Sequence, residues 1–139
     1  MAYKILIVED ENDIATFLST VLRVNGFEPA VAGDAESGLH IARELRPDLI
    51  CLDIMMPKES GISMYTRLRK DDDLKDIPVI IISGAGQDGT FDFRYYVTDE
   101  NIPEPDYYLE KPVSADHYMS IVNEILSKTP TSSGKNENA

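Results

Sequence analysis

Three runs of four consecutive apolar residues, Ile5-Leu6-Ile7-Val8, Leu49-Ile50-Cys51-Leu52 and Val79-Ile80-Ile81-Ile82, constrain this chain more than any other feature. Each is too short for a helix, rich in branched side chains and apolar at every position, as in strands covered on both faces. Between and after them, apolar residues recur at helical spacing: Ile14, Phe17, Leu18, Val21 and Leu22; then Gly38, Leu39, Ala42 and Leu45; then Ile62, Tyr65 and Leu68. Tyr118, Ile121, Val122, Ile125 and Leu126 form a last such stripe. Glu28 to Ala32 and Tyr107 to Leu109 read as two shorter strands. Buried strands alternating with amphipathic helices indicate an α/β fold, a parallel sheet with helices on both faces.

The punctuation agrees with this division. Asn12 or Asp13 is placed to cap the first helix and Asn25-Gly26 to close it in a left-handed turn. Asp34 caps the second helix, Pro47 stops it, Gly61 allows a turn before the third, and Ser114 caps the last. One segment, Gln87 to Pro105, resists the pattern. Phe91-Asp92-Phe93-Arg94-Tyr95 alternates like a strand while Phe91 and Tyr95 also stand a helical interval apart, and Pro103 and Pro105 forbid a regular element at its end. At most a short or irregular helix is expected there. Residues 1–128 make one domain, and the polar tail 129–139 is expected to be disordered.

A net charge of -12 argues against phosphate backbones and anionic membranes as main partners, since both would be repelled. A cationic metal or a basic protein patch fits better. The single cysteine, Cys51, lies inside an apolar run, which excludes a disulfide framework within the monomer and suits a reducing compartment. With no cationic leader before the first strand and no membrane-length apolar stretch, a soluble, cytoplasmic protein is expected.

The chemistry collects where the strands end. Glu9 and Asp10 follow the first run, Asp53 ends the third strand just before Pro57 forbids its continuation, Ser83 ends the fourth, and Lys111 follows the fifth. In a parallel sheet these ends share one edge, so residues far apart in sequence converge there. Carboxylates packed together repel one another unless a cation neutralises them. A hard divalent ion such as magnesium, held by one or two carboxylates with positions left for a phosphate, answers that need. Lys111 adds a point charge for a phosphoryl oxygen and the Ser83 hydroxyl a hydrogen-bond donor, which leaves Asp53 to attack phosphorus.

These residues, in this order, resemble the receiver domains of two-component signalling, which accept a phosphoryl group from a histidine kinase onto aspartate. The resemblance covers residues 3 to about 128. It is carried by Glu9-Asp10, by Asp53-Ile54-Met55-Met56-Pro57 with Gly61 four residues beyond the proline, by Ser83, and by Tyr108-Leu109-Glu110-Lys111-Pro112. It implies a three-layer, doubly wound, flavodoxin-like fold with five parallel strands in the order 2-1-3-4-5. Asp53 would be the phosphoacceptor, Asp10 and Asp53 would bind Mg2+ or Mn2+ directly and Glu9 through water, and the backbone carbonyl of Met55 would complete the protein ligands. Lys111 would pair with the phosphoryl group, its bond to Pro112 being cis. Ser83 would move toward that group on activation and Tyr108 would swing inward with it, altering the face made by the fourth helix, fifth strand and fifth helix. The partners implied are a histidine kinase or histidine phosphotransfer protein and a downstream protein target, with no direct nucleic acid and no membrane. Such a module catalyses only its own phosphorylation and dephosphorylation.

Plainer readings stand beside these. Glu11 fits a first-turn acid favoured by the helix dipole, His40 and His117 ordinary partly exposed histidines, Asp71-Asp72-Asp73 a solvated helix end, and Met55 and Met56 packing. Met55 and Ala85 cannot hydrogen-bond a hydrolytic water, so a long-lived phosphoaspartate is expected. The competing functions are a degenerate receiver that binds partners without phosphorylation, and an aspartyl-phosphate phosphatase. The second wants an acid two residues after Asp53, where Met55 stands.

Overall fold

The computed structural model describes residues 2–54, 61–84 and 92–128. The expectations for Met55, Met56, Ala85, Phe91 and the tail 129–139 lie outside these. In chain order the elements are β1 (Lys4–Val8), α1 (Asn12–Val24), β2 (Glu28–Ala32), α2 (Ala35–Leu45), β3 (Leu49–Asp53), α3 (Gly61–Lys70), β4 (Val79–Ser83), α4 (Phe93–Tyr96), β5 (Tyr107–Glu110) and α5 (Ala115–Lys128). All strand pairs are parallel, in the order β2-β1-β3-β4-β5. This is the doubly wound, flavodoxin-like arrangement expected.

The apolar runs explain why the sheet is sandwiched. Side chains alternate across a strand, so Leu6, Val8, Ile50, Leu52 and Ile81 point into one core with Leu39, Ala42, Met64, Tyr65 and Leu68 from α2 and α3. Ile5, Ile7, Cys51, Ile80 and Ile82 point into the other with Leu18, Leu22, Tyr118 and Val122 from α1 and α5. Cys51 is fully buried, as expected, and its sulfur lies 3.1 Å from the Tyr118 hydroxyl.

The caps follow the sequence with one exception. The Asp34 side chain accepts from the Ser37 amide, and Ser114 Oγ accepts from the His117 amide. Asn25-Gly26 closes α1 with Gly26 at φ +90°, the left-handed conformation that favours glycine. At the start of α1, however, neither Asn12 nor Asp13 caps: Glu11 holds the N-cap position and makes no side-chain capping bond. Its groups are committed elsewhere, as shown below. Phe17, counted in the α1 stripe, is 40% exposed, because the inward face narrows to Ala15, Leu18, Ser19 and Leu22. Asp71 and Asp73 are not simply solvated. They pair with Arg43 and Arg46, tying the end of α3 to α2 at 3.4 and 3.7 Å.

The fourth helix has shrunk to four residues, as the prolines foretold. Arginine replaces the missing helical hydrogen bonds. Arg94 donates to the carbonyls of Val97, Asp99 and Ile102, satisfying backbone acceptors that a longer helix would pair internally. Arg69, whose side chain is only 6% exposed, donates to the carbonyls of Lys75 and Ile77 and to the Tyr65 hydroxyl, which in turn donates to the Pro103 carbonyl at 2.6 Å. Phe93, Val97 and Ile102 are thereby held in the α2/α3 core, with Phe93 edge-on to Tyr65.

Gly61 starts α3 hard against the end of β3. A Cβ there would sit 2.3 Å from the Asp53 carbonyl oxygen and 2.7 Å from Ile54 Cα. Both neighbours are backbone and cannot turn aside. Gly61→Ala is therefore expected to destabilise the domain by about 2–3 kcal/mol in urea unfolding. A loss below about 0.5 kcal/mol would contradict this contact.

Candidate functional site

Parallel pairing assembles the site. Val8 faces Leu52 across β1 and β3, so the next residues, Glu9 and Asp53, leave the sheet side by side. Asp53 pairs with Ile82, so Ser83 lies one step further along β4. The Lys111 amide donates to the Ser83 carbonyl at 2.9 Å, which fixes where the lysine side chain starts. The Lys111–Pro112 peptide is cis, as the resemblance implied. All five strand-end residues singled out in the sequence meet at one edge.

The electrostatics of that edge are unbalanced. Lys111 Nζ lies 3.4 Å from Glu9 Oε1, 3.4 Å from Asp53 Oδ2 and 3.6 Å from Glu11 Oε1. Glu9 and Asp53 are 2% and 1% exposed. One ammonium thus faces several carboxylates, two of them buried, in a setting where charge is poorly solvated. The consequence appears in the protonation equilibria. Glu9 is pushed up from 4.5 to about 7, chiefly by burial, with hydrogen bonding to Asp53 and its negative charge adding; the Glu11 amide and Lys111 oppose. Burial disfavours the charge on Lys111, but Asp53 and Glu9 outweigh it and hold the ammonium above its ordinary pKa.

Glu11 is the residue the sequence reading missed. A first-turn carboxylate is favoured at any helix start, so nothing local distinguished it. Only the long-range approach of Lys111 gives it a place in the site. Its amide also donates to Glu9 Oε2 at 3.1 Å, which explains why it sits at the start of α1 without capping it.

The site has the features of a cation pocket. One oxygen each from Glu9, Asp10 and Asp53 lie within 4.8 Å of one another, close to the roughly 4.2 Å that trans oxygens span across a magnesium ion. Asp10 Oδ1 and Ser83 Oγ are buried without a hydrogen-bond partner, and Glu9 Oε1 has only the ion pair with Lys111, a costly condition unless something bound supplies one. The residues present therefore fit a small hard cation with a phosphoryl group beside it. Met55, expected to contribute its carbonyl, lies outside the described residues.

Tyr108 points away from this pocket. It is 39% exposed and its hydroxyl donates to Glu104 Oε1 at 3.2 Å. Glu104, on the irregular segment before β5, also stands 3.8 Å from Arg94 Nε. His40 is an exposed histidine on α2, 3.3 Å from Glu44, and His117 lies exposed in α5, neither at the strand-end edge. Among the described residues no helix is long and apolar enough to cross a membrane.

Comparison with known proteins gives a consistent picture. Residues 5–123 match the family described as response regulator receiver domain. The DNA-binding dual master transcriptional regulator RpaA of Synechocystis is 33% identical over 126 residues, 91% of this chain and 50% of that protein. The phosphate regulon transcriptional regulatory protein PhoB of Escherichia coli is 41% identical over 88 residues, 63% of this chain and 38% of that protein. This chain thus spans half or less of the length of these relatives. Among solved structures, the receiver domain of Francisella response regulator 1452 superposes with a TM-score of 0.75 at 30% identity, covering 91% of this chain and 98% of that one. A CheY-like receiver domain protein from Methanospirillum hungatei gives 0.79 at 22% identity, with 92% and 96% covered.

The raised Glu9 makes a prediction for the metal-free protein. Between pH 4.5 and about 7 the folded state keeps a proton that the unfolded chain has released, so the unfolding free energy falls as pH rises through that window. A decrease of about 2 kcal/mol is expected, measured by urea unfolding in the presence of chelator, and Glu9→Gln should flatten it. A wild-type curve with no such difference from Glu9→Gln would contradict the assignment.

Proposed function

The chain belongs to the response regulator receiver domain family of two-component systems, and from that premise we propose that it signals by accepting a phosphoryl group on Asp53. The observation that carries the reading is the convergence of a buried carboxylate, an ammonium within 3.4 Å of it and a buried hydroxyl lacking a partner. An Asp53 carboxylate oxygen attacks phosphorus in line. The bond from phosphorus to its former nitrogen or oxygen breaks, and the electron pair leaves with the donor, which takes up a proton. Lys111 releases Asp53 and pairs with a phosphoryl oxygen, and Ser83 Oγ donates to another. Asp10 and Asp53, with Glu9 through water and the Met55 carbonyl that the resemblance implies, would hold Mg2+ or Mn2+, which would supply charge neutralisation beyond that of Lys111.

The donor is a histidine kinase or histidine phosphotransfer protein, and the protein acts in the cytoplasm, where such donors work. No external substrate is turned over. Signalling follows from the bond that Tyr108 makes outward to Glu104: as Ser83 is drawn to the phosphoryl group, Tyr108 leaves Glu104 and turns inward, changing the surface of α4, β5 and α5. RpaA is a DNA-binding transcriptional regulator and PhoB a transcriptional regulatory protein, and the matched parts make up 50% and 38% of their lengths. DNA binding is not assigned to residues 1–139, whose net charge of -12 repels phosphate backbones.

Incubation with phosphoramidate or acetyl phosphate and Mg2+ is expected to add one phosphoryl mass to the wild type and none to Asp53→Asn. Lys111→Ala should slow labelling by about 10²-fold. With Met55 and Ala85 unable to orient a water, the label should outlast seconds. No uptake by the wild type would overturn the reading and favour a receiver that works without phosphorylation.

A further inference from the structure

Glu11 stands in the strand-end cluster, yet the phosphoryl chemistry leaves it without a task. It occupies the N-cap position of α1 in an extended conformation, φ -88° and ψ 117°, and its carboxylate makes no capping bond to the helix amides. The carboxylate turns instead to Lys111, placing Oε1 3.6 Å from Nζ. Its backbone is fixed from the other side, since the Glu11 amide donates to Glu9 Oε2 at 3.1 Å.

The three carboxylates around Lys111 are not equivalent. Those of Glu9 and Asp53 are buried, whereas the side chain of Glu11 is 62% exposed and that of Lys111 19%. Glu11 therefore stands on the solvent side of the ammonium, the side from which a phosphoryl donor arrives. It also lies outside the group of carboxylates placed to share a cation, which among the described residues is Glu9, Asp10 and Asp53. With a divalent ion held by those three, the charge of Glu11 still stands, and Lys111 is its counter-ion. Once the ammonium turns to a phosphoryl oxygen that counter-ion is shared, and the incoming anion meets an exposed carboxylate.

We propose that Glu11 is a specificity-determining residue of this site, a fixed negative charge that selects against free, doubly charged phosphoryl donors of the acyl phosphate class. This rests on Asp53 being the phosphoacceptor. In transfer from an acyl phosphate, an Asp53 oxygen forms the new bond to phosphorus, and the bond from phosphorus to the acyl oxygen breaks. The acyl group leaves with the electron pair as a carboxylate. The bond made is the same whatever the donor, but the charge that must pass Glu11 is not. Coulomb repulsion scales with the donor's charge, and low-dielectric walls concentrate the field at the mouth of a site. A phosphoimidazole carried on a protein arrives with a surface whose cations can pair with Glu11, which a small molecule lacks.

The test compares initial rates of phosphoryl uptake, by intact-protein mass, from acetyl phosphate, a dianion near neutral pH, and phosphoramidate, a monoanion. At low salt Glu11→Gln should raise the acetyl phosphate rate by about threefold or more and the phosphoramidate rate by roughly the square root of that factor. The gain should shrink as salt rises. Glu11→Asp, which keeps the charge, should keep the wild-type ratio of the two rates. Glu28→Gln, which removes one charge at the opposite edge of the sheet, should leave both rates unchanged. Equal acceleration with both donors would overturn the proposal in favour of a simple restraint on Lys111, and a slower Glu11→Gln in favour of a carboxylate that positions the ammonium for transfer. A second arm needs no phosphoryl chemistry. In chelator, acetylation of Lys111 by the anionic sulfonated N-hydroxysuccinimide ester, relative to the neutral ester, should rise about twofold or more in Glu11→Gln, and an unchanged ratio would by itself overturn the proposal. A wild type that takes up no phosphoryl group fails the Asp53 reading, while the ester ratio still decides whether Glu11 filters anions.

Discussion

A single ammonium set against more buried carboxylate than it can neutralise is the constraint on which this structure turns. Lys111 lies equally close to Glu9 and Asp53 and almost as close to Glu11. The arrangement is stable only because the sheet beneath it is rigid and dry: every residue of β3 and β4 is buried, and the parallel register leaves the polar ends nowhere to go but one edge. The cost of burying carboxylate there is visible in Glu9, whose pKa is pushed up to about 7, chiefly by burial and further by Asp53. A cation beside Glu9, Asp10 and Asp53 would offset that cost, which suits the proposed phosphoryl transfer, where charge neutralisation carries most of the catalysis.

Much of this was legible beforehand because it depends on short-range patterns. Runs apolar at every position can only be strands covered twice, and once they are parallel the convergence of Glu9, Asp10, Asp53, Ser83 and Lys111 follows from topology. Asp34 and Ser114 announced their helices through capping chemistry alone. What was not legible depends on contacts between distant residues. Glu11 looks like any first-turn acid until Lys111, a hundred positions on, is placed beside it. Nothing local to Arg69 or Arg94 shows that they serve as hydrogen-bond sources for backbone that has no helix of its own.

Arg94 explains how the chain tolerates so short a fourth helix, while Arg69 does the same service for the α3–β4 connection at Lys75 and Ile77. Guanidinium groups present several donors in fixed directions, so each can satisfy carbonyls that successive helical turns would otherwise bond. The replacement keeps Phe93, Val97 and Ile102 in the core and leaves Tyr95, Tyr96 and the acids outside. On this surface the Tyr108 hydroxyl donates to Glu104 Oε1, which also faces Arg94.

At the strand-end edge Glu9 holds a proton where a cation would neutralise its charge. Calorimetric titration with Mg2+ at pH 6.5, in buffers of differing ionisation enthalpy, measures this directly. Binding should release a substantial fraction of one proton from the wild type and almost none from Glu9→Gln. A buffer-independent enthalpy for the wild type, with no proton released, would contradict it.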